Sequence, residues 1–379
     1  MANRKLRIGL IGAGGISETH CHGWSKLADC ELVAITDMNA QAAQKRAQDF
    51  KIPSVESSAK TLVARKDIDV VDVVVPNFFH KEFSIAAMNA GKHVLCEKPL
   101  ALTRKEVLAM MAASEKTGKK LMAAQHMRFQ QETEAMKAYI TSNPLGDVYY
   151  GRAWYNRRRQ LPCRPGFMYM KNSGGGCCID VGVHVLDTAL HLMNNFEPVS
   201  VTGVSLTKLA RRPDAWSEWG TIDKENLDVE DFAAGFIRFA NGAALSLECS
   251  FMLNQKSKYT SRIDLFGSEA GIAWPECEVY STSASKCFVD SKIEFLPGEA
   301  PHHKVISAFA ESVMGDTEVP VPPSQSLAVI SILEGLYKSQ KTGSEVVLAK
   351  ADQAPARTVR PPIRARSVTQ HASAAVDAG

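Results

Sequence analysis

Ile8-Gly9-Leu10-Ile11-Gly12-Ala13-Gly14-Gly15-Ile16-Ser17 joins an apolar run to a helical pattern. Gly12 permits a tight turn, and Gly14 lets the backbone approach a pyrophosphate. The helix that follows offers free N–H groups and its positive dipole end to the anion. Ser17 takes the third position of the G-x-G-x-x-G pattern, where a small side chain still allows close packing of helix on strand. This context predicts a dinucleotide-binding loop that uses Gly12, Gly14, Gly15 and Ile16.

Asp37 directly follows the second apolar run, 25 residues after Gly12. A carboxylate at this position accepts hydrogen bonds from the adenosine ribose and repels a 2′-phosphate. The next residues, Met38 and Asn39, supply no guanidinium that would attract such a phosphate. The sequence therefore predicts NAD rather than NADP as the cofactor. The same residues could also be a glycine turn without a ligand and a solvated turn aspartate.

Short β-rich runs alternate with helical stretches through residues 1–125. This alternation predicts a doubly wound parallel sheet, a Rossmann domain of the α/β class. The expected strands are 5–11, 32–36, 70–75, 93–96 and 121–124, and the expected helices are 15–27, 39–50, 78–89 and 103–117.

Beyond residue 126 several strands follow one another with few helices between them, and residues 240–243 indicate a hairpin turn. The pattern predicts an α+β domain, residues 126–350, with a large, mostly antiparallel open sheet. Residues 351–379 are rich in Ala, Arg and Pro and are expected to form a flexible tail. The expected strands are 147–157, 198–207, 229–240, 243–253 and 260–267, and the expected helices are 129–141, 179–194, 302–314 and 325–341.

Composition narrows the class of protein. A length of 379 residues favours two domains. The 44 basic and 41 acidic residues nearly cancel, which gives no electrostatic footprint for nucleic acid or an anionic membrane. No run of about 18 uninterrupted apolar residues is present, and the first apolar run breaks at glycines. The nine cysteines, an odd number without a framework spacing, favour free thiols and a cytoplasmic location.

The sequence contains one adjacent cysteine pair and one adjacent histidine pair, and neither has the spacing of a metal site. Cys177-Cys178 lacks the C-x-x-C spacing, and His302-His303 has no companion carboxylate or cysteine at ligand spacing. We therefore predict no metal site.

Three polar residues mark a candidate catalytic group. Lys98 precedes Pro99 at the carboxyl end of a predicted buried strand, where open α/β sheets bind ligands. Asp180 and His184 are four residues apart on a predicted helix and so share one face. The glycines at 174–176 let the backbone turn into that helix. The same positions are also compatible with a surface lysine, a core histidine and a simple helical pair.

Together the motifs resemble the Gfo/Idh/MocA family, which includes glucose–fructose oxidoreductase and inositol dehydrogenase. The glycine loop with Asp37, Cys96-Glu97-Lys98-Pro99, and the run from Gly174 to Asp187 carry the resemblance, which covers about residues 5–350. It implies that Lys98, Asp180 and His184 are catalytic, and that the open sheet mediates a dimer or homotetramer. It also implies that the following residues lie along the cofactor, the last three near the nicotinamide: Pro76, His80, Asn77, Glu97 and Gln125.

Oxidation of a secondary alcohol needs a base for the hydroxyl proton while hydride leaves carbon, and a histidine with a pKa of about 6.5 suits that task. We expect His184 to take the proton, Lys98 to stabilise the developing negative charge on oxygen, and Asp180 to bind a neighbouring hydroxyl. The division of labour between Lys98 and His184 stays open. Arg128, Tyr155 and Arg158 are candidates for binding a polyhydroxylated ring.

The sequence thus predicts an NAD-dependent dehydrogenase that acts on an inositol or a pyranose-type sugar. A keto-sugar reductase running in the reverse direction would use the same groups. An NAD-dependent glycosidase or a non-catalytic cofactor-binding sensor would also be compatible with these motifs.

Overall fold

The computed structural model describes residues 4–349, so the expected tail at 351–379 lies outside the described residues. Its N-terminal half contains a parallel sheet of six strands in the order β3-β2-β1-β4-β5-β6. The chain reverses direction across the sheet between β1 and β4, which places the glycine loop at the switch point. The elements are β1 (Leu6–Ile11), α1 (Gly15–Lys26), β2 (Cys30–Thr36), α2 (Ala40–Phe50), β3 (Ser54–Val55), α3 (Ala59–Ala64), β4 (Val70–Val73), α4 (His80–Asn89), β5 (His93–Cys96), α5 (Arg104–Thr117) and β6 (Leu121–Ala123).

The C-terminal half contains a sheet of nine strands in the order β14-β13-β12-β11-β7-β10-β9-β8-β15. Among the described strands of this sheet only β7 and β10 pair in parallel. The elements are α6 (Gln131–Ser142), β7 (Val148–Arg157), α7 (Pro165–Met168), α8 (Met170–Ser173), α9 (Val183–Met193), β8 (Pro198–Leu206), β9 (Phe232–Phe239), β10 (Ala244–Ser250), β11 (Tyr259–Gly267), β12 (Ala270–Trp274), β13 (Glu278–Thr282), β14 (Phe288–Lys292), α10 (Pro301–Met314), α11 (Pro323–Thr342) and β15 (Val346–Val347).

Both predictions of fold class are therefore confirmed. The short elements β3 and α3 escaped prediction because two and six residues carry too little periodicity. Strands β12–β14 were also missed. Every residue of Phe288–Lys292 is exposed, so this strand lacks the alternation of a half-buried strand.

The two sheets are joined by helices that return to the first half of the chain. Helix α10 packs against α1 so closely that a Cβ on Gly23 would lie 2.5 Å from the Cδ1 of Ile306. Helix α11 lies against both α5 and β8. The apolar core consequently runs without a break between the halves. The boundary at residue 125 remains a prediction.

One stretch of the described residues, Met170–Met193, has the length and hydropathy of a membrane span. However, 89% of its most apolar window is buried inside the protein. It is therefore accounted for as a core segment, and it includes α9, which packs on the inner face of the large sheet.

Candidate active site

The glycine loop has the conformation that a dinucleotide requires. Gly12 has φ of +112°, and a Cβ there would lie 2.3 Å from the carbonyl oxygen of Val74, so only glycine fits. A Cβ on Gly14 would meet nothing within 4 Å, which leaves open space above the loop. Helix α1 begins at Gly15 without a side-chain cap, so its first N–H groups point into that space.

Asp37 lies where the sequence predicts it, immediately after β2 and beside the loop. Its Oδ2 accepts a hydrogen bond from the Ala13 N–H at 2.6 Å, and its Oδ1 accepts one from Asn39 at 2.7 Å. Each oxygen keeps a further lone pair for a hydroxyl group. The adjacent Met38 is 93% exposed. This arrangement fits the ribose of NAD.

The segment after β4 ties the two halves of the chain together. The Asn77 amide donates to the carbonyl oxygen of Ser173 at 2.9 Å. His80 is fully buried, and its ring nitrogens lie 2.7 Å from the Pro99 oxygen and 2.9 Å from the Val75 oxygen. The expectation that His80 contacts the cofactor is therefore corrected, because its ring has no accessible surface. Its contacts position the backbone on either side of Pro76.

The nicotinamide end of the site offers one unused acceptor. Gln125 follows β6 and is 2% exposed, and its Oε1 has no hydrogen-bond partner within residues 4–349. A buried oxygen left without a donor is costly, which fits a site that receives the carboxamide of a nicotinamide.

The structure brings Lys98 and Asp180 into contact. The Nζ of Lys98 donates to the Asp180 Oδ1 at 3.2 Å and to the Asp180 carbonyl oxygen at 3.1 Å. Asp180 lies in a π-helical turn, Cys178–Gly182, which leads directly into α9 and His184. The expected single α-helix is thus corrected: π turns are rare, and they occur frequently at functional sites.

His184 is a neutral imidazole in this surrounding. Burial, followed by the positive charge of Lys98, holds its pKa well below the usual range. Its Nδ1 has no hydrogen-bond partner among the described residues. The His126 ring contacts the His184 ring edge-on at 4.9 Å and stacks on His302 at 3.9 Å. Burial lowers the pKa of His126 to about 3 and that of His302 to about 4, so the cluster is uncharged.

A buried carboxylate explains the glycine run before the π turn. Glu230 accepts hydrogen bonds from the N–H groups of Gly176 and Cys178, both at 2.8 Å, and from the Tyr337 hydroxyl at 2.9 Å. A Cβ on Gly175 would lie 2.0 Å from that hydroxyl, and one on Gly176 would lie 2.0 Å from the Glu230 carbonyl oxygen. The glycines are therefore required by this close approach, which fixes the backbone that carries Asp180.

A cavity of about 530 Å³ opens beside Asp180. Arg157 donates to the Asp180 Oδ2 at 3.3 Å, and its guanidinium lies 4.7 Å from the ring centre of Trp219 and 5.3 Å from that of Tyr155. The cavity thus combines charged and aromatic groups, as a sugar site requires. It is lined by Arg157, Pro162, Cys163, Arg164, Phe167, Asp180 and Trp219.

Two of the expected substrate residues lie elsewhere. Arg128 is buried and pairs with Asp187, the distance from its Nη2 to Oδ1 being 2.6 Å, and it also donates to Gln325. Arg158 is directed to the exterior, where it donates to the carbonyl oxygen of Lys256 at 3.3 Å. Both expectations are therefore corrected. Arg128 is already hydrogen-bonded to Asp187 and Gln325 within the protein, and Arg158 lies past the end of β7.

Arg157 and Arg164 belong to the same arginine- and aromatic-rich stretch of sequence as Tyr155 and Arg158, which were preferred to them, and Trp219 is a cavity residue that sequence reasoning missed. Positions 155 and 157 alternate onto the same face of β7, so period-2 spacing from Tyr155 could have identified Arg157. The Nη1 of Arg164 would lie 3.6 Å from a Cβ on Gly15, which brings this guanidinium over the dinucleotide loop. Trp219 lies in a long loop, and no local pattern indicates it.

Two family profiles match the chain. The oxidoreductase family with an NAD-binding Rossmann fold (GFO_IDH_MocA) matches residues 6–125, and the GFO/IDH/MocA C-terminal domain matches residues 133–273. The D-glucoside 3-dehydrogenase of Escherichia coli (strain K12) is 30% identical over 349 residues, which cover 92% of this chain and 99% of that protein.

A levoglucosan dehydrogenase of Pseudarthrobacter phenanthrenivorans is 30% identical over 290 residues, which cover 72% of this chain and 74% of that protein. Among solved structures, a levoglucosan dehydrogenase in complex with NADH and levoglucosan superposes with a TM-score of 0.77 at 25% identity. That match covers 92% of this chain and all of the other. These similarities agree with the geometry of the loop and the cavity.

Proposed function

The chain belongs to the Gfo/Idh/MocA family of NAD-binding oxidoreductases that act on CH–OH groups, and on that premise we propose that it oxidises a secondary hydroxyl of a pyranose-type sugar. A pyranose whose anomeric oxygen is substituted, as in a glucoside or an anhydrosugar, is preferred over an inositol. Bound NAD supplies the hydride acceptor. The loop at Gly12–Ile16 and Asp37 would hold its adenosine and pyrophosphate, and Gln125 its carboxamide.

The contact between Lys98 and Asp180, whose side chain lines the cavity, carries the proposal, and His184 lies on the helix that follows Asp180. His184 is assigned the hydroxyl proton because its buried Nδ1 has no hydrogen-bond partner among the described residues, although its lowered pKa makes it a weaker base than a free histidine. The Lys98 ammonium, 3.2 Å from Asp180, hydrogen-bonds the reacting oxygen and stabilises its developing charge. Asp180 is shared between Lys98 and Arg157 and binds the neighbouring hydroxyl.

The choice of sugar rests on two kinds of support. Two of the relatives described above are named for a glucoside and for levoglucosan, both pyranose derivatives. The cavity places a tryptophan face and a guanidinium beside Asp180, a pairing that suits an apolar ring face edged with hydroxyl groups.

One face of the large sheet supports an oligomer, because no helix of residues 4–349 fills the depression on it. A depression of about 710 Å³ crosses this face, and Trp154 and Phe236 line it. We assign this face to a second copy of the chain, in a dimer or tetramer. The nine unpaired thiols support a reducing, cytoplasmic compartment.

The test is an absorbance assay of NAD reduction with glucosides, anhydrosugars, aldoses and inositols. Lys98→Met and His184→Ala are compared with Arg158→Met, a matched variant outside the cavity. Each of the first two should lose at least about 100-fold in kcat, and near wild-type turnover in either would remove that residue from the mechanism. Turnover confined to inositols would refute the sugar assignment, and release of an aglycone would indicate a glycosidase.

A second pair of variants tests the cavity. Trp219→Ala should raise KM for the active sugar by about 2- to 30-fold, because an aromatic contact of this kind contributes about 0.5–2 kcal/mol. Trp216→Ala is the matched control, since Trp216 lies in the same loop and lines a different cavity. An equal effect of both variants on KM would show that the loop, and not the Trp219 face, matters.

A further inference from the structure

A fully buried histidine of α1 lies between two carboxylates. The His20 Nδ1 lies 2.8 Å from the Asp72 Oδ2, and its Nε2 lies 2.9 Å from the Glu97 Oε1. Trp24 donates its indole N–H to the same Asp72 oxygen at 2.7 Å. His20 is 0% exposed and does not line the cavity at Asp180. Its partners, however, lead directly to Lys98.

This geometry fixes the charges of His20 and Glu97. An imidazole that faces an ionised carboxylate on each nitrogen must donate from both, so it is a cation. Burial opposes that charge, but the attraction of Asp72 and the hydrogen bonds to both carboxylates outweigh it and raise the pKa of His20 to about 10. Burial likewise opposes ionisation of Glu97, yet the hydrogen bond from His20 lowers the Glu97 pKa to about 2.

Glu97 connects this charge to the catalytic lysine. While its Oε1 is held by His20, its Oε2 accepts the backbone N–H of Lys98 at 3.0 Å. The lysine side chain then contacts Asp180, which contacts Arg157. Charges of alternating sign thus run from the core to the cavity, in the order Asp72, His20, Glu97, Lys98, Asp180 and Arg157.

The position of Asp72 argues against a role in stability alone. It lies in β4, whose other residues are buried valines, and its Oδ1 has no hydrogen-bond partner within the described chain. A buried ion pair rarely adds more stability than apolar side chains of the same volume. The Asp72 carboxylate is better explained by its contact with His20, whose ring it orients.

We propose that His20, oriented by Asp72, is a positioning residue that holds the Glu97 carboxylate in one orientation and thereby sets the backbone, and so the ammonium, of Lys98. The inference rests on the proposed function, because it assigns Lys98 to the reacting hydroxyl. His20 touches neither the cavity nor its sugar. The titratable and charged groups that face His20 and Glu97 are Asp72, His80, Lys98, His126 and His302.

The experiment uses His20→Gln, which keeps a hydrogen-bonding side chain but carries no charge. His22→Gln is the matched control, because His22 lies on the same helix and is exposed. We expect kcat to fall by about 10- to 100-fold, since a small displacement of a catalytic group has an effect of this size. KM for the sugar and the affinity for NADH, measured by fluorescence titration, should stay within about 3-fold of wild type.

The pH profile separates positioning from a general loss of structure. Without the His20 cation, burial raises the Glu97 pKa, so the acidic limb of kcat/KM should move to higher pH in His20→Gln and stay in place in His22→Gln. A kcat like wild type, or a lower kcat with an unmoved acidic limb, would overturn the inference. If His20→Gln does not fold, Asp72→Asn should move the same limb in the same direction.

Two measurements that do not depend on enzyme turnover also test the positioning role of His20. Carbon-13 NMR of labelled histidine should show His20 still protonated at about pH 9 in the wild type, and acetic anhydride should acylate Lys98 faster in His20→Gln than in the wild type. A neutral His20 at that pH, or an unchanged Lys98 acylation rate, would refute the positioning role. If both measurements agree with the positioning role but the wild type oxidises no sugar, only the proposed function is refuted.

Discussion

Arg128→Met tests whether Arg128 stabilises the fold or binds substrate. Its guanidinium makes two bonds to Asp187, from Nε at 2.7 Å and from Nη2 at 2.6 Å. The two side chains are only 3% and 1% exposed, so water does not screen the pair. Methionine fills the space of the side chain but leaves the Asp187 carboxylate buried without its counter-charge.

The expected magnitude follows from that burial. Removing one partner of a buried ion pair costs about 3–5 kcal/mol. A chain of this size has an m value of about 3 kcal/mol per molar urea, so the first unfolding midpoint should fall by about 1–1.7 M. Arg158→Met removes an exposed guanidinium and should leave the midpoint almost unchanged.

The assay is urea unfolding followed by tryptophan fluorescence, with KM measured in parallel. The double variant Arg128→Met/Asp187→Leu removes both charges and should recover most of the lost stability. A wild-type midpoint in Arg128→Met, together with a KM raised at least about 10-fold, would refute this reasoning and return Arg128 to the substrate site.

Three further predictions concern the cofactor, the glycine run and pH. The double substitution Asp37→Ser and Met38→Arg should raise kcat/KM with NADP relative to kcat/KM with NAD. An unchanged preference between the two cofactors would contradict the assignment of Asp37. Gly176→Ala places a Cβ 2.0 Å from a backbone carbonyl oxygen, so it should lower the thermal midpoint and kcat, whereas Gly166→Ala, which meets nothing within 4 Å, should do neither. The stability contributed by His20 is fully present below its unfolded pKa of about 6.5 and is lost as pH rises through about 10. The free energy of unfolding, measured by urea titration, should therefore fall from about pH 7 to about pH 9.5 in the wild type and fall less in His20→Gln.

The candidate site residues that the sequence predicts are those that local chemistry specifies. The loop at Gly12 and the pair of Asp180 and His184 lie within short segments whose residue types carry the signal. His20 and Asp72 are 52 positions apart, so no short segment of the sequence indicates that they interact. Their contact can be recognised only from the packing of α1 against β4.

The choice between Arg157 and Arg158 could have been made from the sequence. Strand β7 ends at Arg157, and its alternation puts Arg157 on the same face as Tyr155. Arg128 could not have been assigned in this way. Its partner Asp187 lies 59 positions further on, and only the packing of α9 shows that the pair is buried.

The π turn at Cys178–Gly182 makes the spacing between Asp180 and His184 depend on one additional residue. Deleting a single residue from that turn would restore an ordinary α-helix, and the angle between the Asp180 and His184 side chains about the helix axis would change. The number of residues before α9 therefore determines the geometry of the candidate site as much as their identity does.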